Sequence, residues 1–96
     1  MHKVYVTYTC FPGQRETFLG KIKEEKIDTA IRAEDGCRQY EYYLSDSNPD
    51  VILLLEEWDS KEHQAVHYTQ PHMHKLAELK KEYVQEVFIS QFKLIE

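Results

Sequence analysis

The 96-residue sequence predicts an α+β fold, with one antiparallel sheet carrying its helices on a single face, and three observations support it. The spacing of apolar residues switches between period two and period 3.6 in the order strand, helix, strand, strand, helix, strand. A run of bend-forming residues, "DSNPD", joins the two middle strands closely enough for a hairpin. The stretch "VILLL", residues 51–55, is apolar without alternation, a pattern that a strand wetted on one side does not show.

Each element follows from local pattern. Val4, Val6 and Tyr8 alternate with Tyr5, Thr7 and Thr9, so residues 2–10 form the first strand, ended by "FPG". From Gln14 to about Ala33, Phe18, Leu19, Ile22, Ile27, Ala30 and Ile31 make a helical stripe, and the five-residue step from Ile22 to Ile27 predicts a bend. "EDG" closes this helix, Gly36 being suited to the left-handed position after it. "CRQYEYYLS" is the second strand and "VILLLEEW" the third. Asp59 or Ser60 caps a short helix, with Glu62 at capping-box distance from Asp59, and Pro71 breaks that helix at "TQP". In the second piece His72, Leu76, Leu79 and Tyr83 share one face while His74, Lys75 and Glu78 share the other. "EVFISQFKLI" is the last strand. In one small sheet this order gives the split βαβ, ferredoxin-like arrangement, and residues 1–96 make a single domain.

Composition narrows the function. A formal net charge of −5 opposes binding to a phosphate backbone, because such affinity comes from clustered Lys and Arg, and Lys80-Lys81 is the densest pair. No nucleic acid and no membrane partner is expected. "MHKVYVTYTC" lacks the apolar run of a signal peptide, which points to a cytoplasmic protein with Cys10 and Cys37 as free thiols. The unbroken "VILLL" implies that both sheet faces are dry, one under helices and the other against a second copy, so the expectation is a homodimer.

The segment "AEDGCRQYEYYLSDSNPDVILLLEEWDSKEHQAVHYTQPH" resembles the antibiotic biosynthesis monooxygenase family of dimeric α+β barrels. The likeness rests on an acidic residue before Gly36-Cys37, then Tyr40, Glu57-Trp58, and His67 nine residues beyond the tryptophan. It implies a dimeric barrel and one of several activities: oxygenation of quinols or anthrones without a cofactor, haem degradation, or isomerisation of a phosphorylated autoinducer. The haem-degrading branch carries an Asn on its first strand, a Trp in its second helix and a haem-ligating His. Thr7 or Tyr8, His67 and Ala77 stand in the corresponding regions here, which disfavours that activity. "HYTQPHM" is similar to the His-x-x-x-Pro-His segment of the isomerases, with His67 and His72 matching.

The residues themselves favour chemistry without a cofactor, since the chain has no glycine-rich nucleotide loop and no cysteine cluster. A phenol, hydroquinone or anthrone, once deprotonated, is electron-rich enough to reduce dioxygen directly. That needs a base active near neutrality, a dry pocket and flat walls. His67 is the candidate base, Trp58 a wall, and His72 a lining group. Trp58 shares a sheet face with Ile52, Leu54 and Glu56, while Val51, Leu53, Leu55 and Glu57 share the other. Glu57 is the candidate catalytic carboxylate, and whichever glutamate faces inward needs a partner such as Arg38, a tyrosine hydroxyl or a histidine. Tyr40 and Tyr42 join Trp58, His72 and Arg38 as substrate-binding candidates. His63 and His67, four apart, have zinc-ligand spacing with Glu56, Glu57, His72 or His74 as third ligand, but "HQAVH" lacks the glutamate of the zinc-protease motif and no metal is expected. The competing readings are a ketose-phosphate isomerase using His67 and His72, and a dimer that binds a small apolar ligand without turnover.

Overall fold

The computed structural model describes residues 1–92. Its elements are β1 (His2–Cys10), α1 (Arg15–Glu24), α2 (Ile27–Arg32), β2 (Cys37–Leu44), β3 (Val51–Trp58), α3 (Lys61–His67), α4 (Pro71–Tyr83) and β4 (Val84–Phe92). The four strands form one antiparallel sheet in the order β2-β3-β1-β4, the ferredoxin-like α+β arrangement.

The core lies between this sheet and the helices. Val4, Val6, Tyr8 and Cys10 of β1, Ile52, Leu54 and Trp58 of β3 and Tyr40 of β2 pack against Phe18 and Ile22 of α1, Ile27 and Ile31 of α2 and Leu76 of α4. Alternation places Glu56 on this same inner face, whereas Leu53 and Glu57 lie on the other. Pairing aligns Tyr43, Leu53, Thr7 and Phe88 in one row across the outer face. Leu53 is 37% exposed there and Phe88 64%.

Two boundaries differ from the sequence reading, and of its two cap candidates the structure uses one. The first helical region is two helices, not one bent helix, because Lys26 adopts a left-handed conformation with φ of 56°. Asp28 anchors the second piece, accepting from the Thr29 N–H and pairing with Lys23 and Arg32, and Arg32 Nε also donates to the Tyr40 carbonyl at 2.8 Å. Ser60, not Asp59, caps α3: its Oγ accepts from the His63 N–H at 3.2 Å, and Asp59 instead pairs with Arg38. β4 starts at Val84, two residues before the predicted Glu86, and the predicted end of that strand lies outside the described residues.

The predicted break at Pro71 is present, with proline at the first turn of α4, where its missing N–H costs nothing. Gly36 does have a left-handed backbone, at φ of 81°, and a Cβ built there meets the His63 ring at 2.3 Å. Only glycine satisfies both the backbone and the space. Gly36→Ala is therefore expected to lower stability by about 1–3 kcal/mol, read as a drop in thermal midpoint, whereas Gly20→Ala, in open space within α1, leaves it nearly unchanged or raises it.

Candidate active site

The site forms where the loop before β2 meets the corner between α3 and α4. His67 ends α3 and His72 begins α4, and the Thr69-Gln70-Pro71 corner between the helices brings both rings toward Glu34. His67 Nδ1 lies 2.8 Å and His72 Nε2 2.7 Å from the same oxygen, Oε2 of Glu34. A carboxylate oxygen only accepts, so both facing nitrogens donate. The proton of a neutral His67 then sits on Nδ1, which leaves the Nε2 lone pair for the cavity that His67 lines.

Aromatic rings fix this imidazole. His67 is 1% exposed, its ring centroid 4.6 Å from that of Trp58, 5.3 Å from Tyr68 and 6.2 Å from Tyr40. The Trp58 indole N–H donates to Glu56 Oε1 at 3.0 Å, which fixes the tryptophan in turn. Tyr68 is held through Gln64, whose Nε2 donates to its hydroxyl at 3.1 Å while Oε1 lies 2.7 Å from His2 Nε2.

A cavity of about 40 Å³ opens beside His67, walled by Tyr8, Tyr40, Glu56, Tyr68 and Lys80 and bordered on the β4 side by Val87 and Ile89. Its polar groups are strongly influenced by burial. Desolvation pushes the Tyr8 and Tyr40 hydroxyls well above the usual phenol range, so they remain neutral donors. Burial lowers the Lys80 ammonium, partly opposed by the Glu56 charge, and Lys80 Nζ lies 5.4 Å from the centre of the Tyr8 ring. Burial also raises Glu56, against the downward pull of the Trp58 N–H and of His67 and Lys80.

The family model for antibiotic biosynthesis monooxygenase matches residues 1–79, which include Glu34, Tyr40, Glu56, Trp58, His67 and His72. The chain belongs to this family. The same fold recurs in PA3566 of Pseudomonas aeruginosa (TM-score 0.87, 21% identity, 99% of this chain and 94% of that one). It recurs also in a conserved protein of Methanosarcina mazei (TM-score 0.85, 22% identity, 96% and 90% covered) and in Rv0793 of Mycobacterium tuberculosis (TM-score 0.84, 23% identity, 99% and 95% covered). Among curated proteins none matches the sequence.

In this member of the antibiotic biosynthesis monooxygenase family, the structure gathers only some of the residues singled out from sequence. His67, His72, Trp58 and Tyr40 converge, with Tyr42 reaching the Tyr40 hydroxyl at 3.4 Å. Glu57 does not join them: period-two alternation turns it to the outer face, and the β3 carboxylate on the site's side is Glu56, bonded to the indole and to none of the partners foreseen. Arg38 sits at the register shift of β2 and pairs with Asp59 at the surface, away from the cavity. His63 turns to Ser60 Oγ and Asp35, so the four-residue pair does not converge. Burial first and then Glu34 push the Cys37 thiol up to about 11, which disfavours the thiolate at neutral pH. Glu34, Tyr68 and Lys80 were not singled out. The acidic residue before Gly36-Cys37 was part of the family likeness but did not distinguish Glu34 from Asp35, whereas Lys80 is distinguished only by standing four residues after Leu76 on the inward face of α4.

Because the folded chain holds the Glu56 proton more tightly than an open chain, this group adds stability below the usual carboxylate value of 4.5, and that contribution is lost as pH rises from there through the raised folded value. Glu56→Gln keeps an acceptor for Trp58 and cannot ionise. Thermal melts across that interval should show the variant gaining on the native chain as pH rises, and parallel profiles would count against the buried-carboxyl assignment.

Proposed function

We propose that the protein is a cofactor-independent monooxygenase that deprotonates a small electron-rich aromatic, of the quinol or anthrone type, and lets the resulting anion reduce dioxygen. The observation that carries this reading is the Glu34–His67–Trp58 arrangement: an almost fully buried imidazole, held through Nδ1, with Nε2 left to a cavity of neutral phenols. His67 takes the substrate proton at Nε2, and Glu34 holds the ring orientation and favours the imidazolium so formed. The anion transfers electrons to dioxygen and a carbon–oxygen bond forms. One oxygen stays on carbon and the other leaves as water: in an anthrone the CH2 group becomes a carbonyl, and in a quinol a ring C–H becomes C–OH while the quinol itself gives up two electrons and two protons and ends as the quinone.

Size limits the substrate. A volume of about 40 Å³ holds little more than one or two small molecules such as water or dioxygen. The aromatic ring therefore enters along the β4 side, where Val87 is 43% and Ile89 53% exposed and Tyr68 stands at the mouth. Among the described residues lining the cavity Lys80 is the one lysine or arginine, and it already interacts with Glu56, so the site suits a phenolate better than a sugar phosphate. With dioxygen and a panel of quinols and anthrones, His67→Ala should cut oxygen uptake by about 10²–10⁴-fold and Glu34→Gln by about 10–10²-fold. Uptake equal to that of the His67→Ala variant would remove the oxygenase. Turnover of a ketose phosphate without oxygen would install the isomerase, and ligand binding with neither would leave a carrier.

The working form in this reading is a homodimer whose two sheets meet through the Tyr43, Leu53 and Phe88 row, which the helices leave uncovered. The native chain is expected to sediment as a dimer at micromolar concentration. Leu53→Lys, which places an ammonium in the middle of that row, should sediment as a monomer with its helical circular dichroism retained.

A further inference from the structure

The groups that meet at Glu34 offer a second chemistry. Glu34 Oε2, His67 Nδ1 and His72 Nε2 lie within 4.8 Å of one another, the carboxylate oxygen 2.8 and 2.7 Å from the two nitrogens. Two imidazoles and one carboxylate are the donor set taken by divalent ions of intermediate softness. Around an ion with ligands at about 2.1 Å, adjacent donors stand roughly 3.0–3.4 Å apart, so the carboxylate oxygen has to draw back from each nitrogen by a few tenths of an ångström while the two nitrogens, within 4.8 Å of each other, close by up to about 1.4 Å. We propose that Glu34, His67 and His72 form a binding site for a divalent transition-metal ion of the zinc type.

Other features fit this assignment. The ligands are already oriented, His67 by the Trp58 and Tyr68 rings and His72 by its place in the first turn of α4. On the Glu34 side the set borders a surface hollow of about 240 Å³, lined also by Asp35, His63, Val66 and Gln70, from which an ion and its waters would enter in this reading. The side chain of His72 is 20% exposed and that of His67 2%, so the set runs from the surface into the core. The ion replaces two N–H···O contacts, each neutral imidazole carrying its proton on the other ring nitrogen. Resting on the base reading above, this has a consequence: an ion on Nδ1 leaves the His67 proton at Nε2, where the base needs a lone pair, so occupancy switches the oxygenase off.

Equilibrium dialysis of the full chain against Zn²⁺, with metal analysis of the retained protein, tests the site. The expected result is one Zn²⁺ per chain, with affinity lowered about ten-fold or more in Glu34→Gln and in His72→Ala but held in His63→Ala. Ring-nitrogen chemical shifts should move at His67 and His72 and not at His74. A native chain that retains no Zn²⁺, or one whose affinity is the same in Glu34→Gln and His72→Ala, overturns the proposal. Oxygen uptake with and without Zn²⁺ tests the consequence separately: if no aromatic is oxidised, the base reading falls while the dialysis ratio still decides the metal site.

Discussion

One carboxylate oxygen holds the site together. Glu34 Oε2 receives the rings of His67 and His72, which lie 33 and 38 residues further along the chain, and so joins the loop before β2 to the end of α3 and the start of α4. The loop can present that oxygen because Gly36 turns it sharply, while the Gly36 carbonyl accepts the Asp59 N–H at 2.8 Å and ties it to the end of β3. His63 packs where a Cβ at position 36 would lie, so the turn and α3 touch without space between them. Turn, strand end and two helices are thus placed by one another, and the aromatic cage around His67 is their joint product.

A domain this small bears polar burial poorly, yet this one places Glu56, Lys80, His67 and the Tyr8 and Tyr40 hydroxyls in or beside its core. The cost is contained because the groups satisfy one another: indole to carboxylate, imidazole to carboxylate, and ammonium over a phenol face. Among the described residues no buried side-chain nitrogen or oxygen is left without a partner. Such an interior is expensive for stability alone, since apolar groups of the same volume fill a core more cheaply. Polarity of this kind in so thin a core is the physical reason for taking the cavity as the candidate site.

Much of the fold was legible because strands and helices write different periods. Val4, Val6 and Tyr8 against Thr7 and Thr9 declare a half-buried strand, and Pro71 declares a break. The split at Lys26 was visible only as a misplaced step from Ile22 to Ile27, because a left-handed lysine has no signature of its own. The site was half legible. His67 and Trp58 lie near each other in sequence and their partnership could be read, but Glu34 acts across the fold. Choosing Glu56 over Glu57 needed the knowledge that the helix-covered face is the one with Trp58, which alternation alone does not tell. Arg38 failed as a candidate because the register shift at the start of β2 carries it to Asp59.

β4 borders the sheet with Val87, Phe88 and Ile89 in succession, apolar on both sides, whereas the opposite border, β2, intersperses Arg38 and Glu41. Charges at a border discourage strangers from adding a strand, and β4 has none across those three positions. A newly folded chain therefore presents one flank with little to deter an added strand. The more copies of the chain stand folded with that flank open, the stronger the general pull toward edge-to-edge pairing.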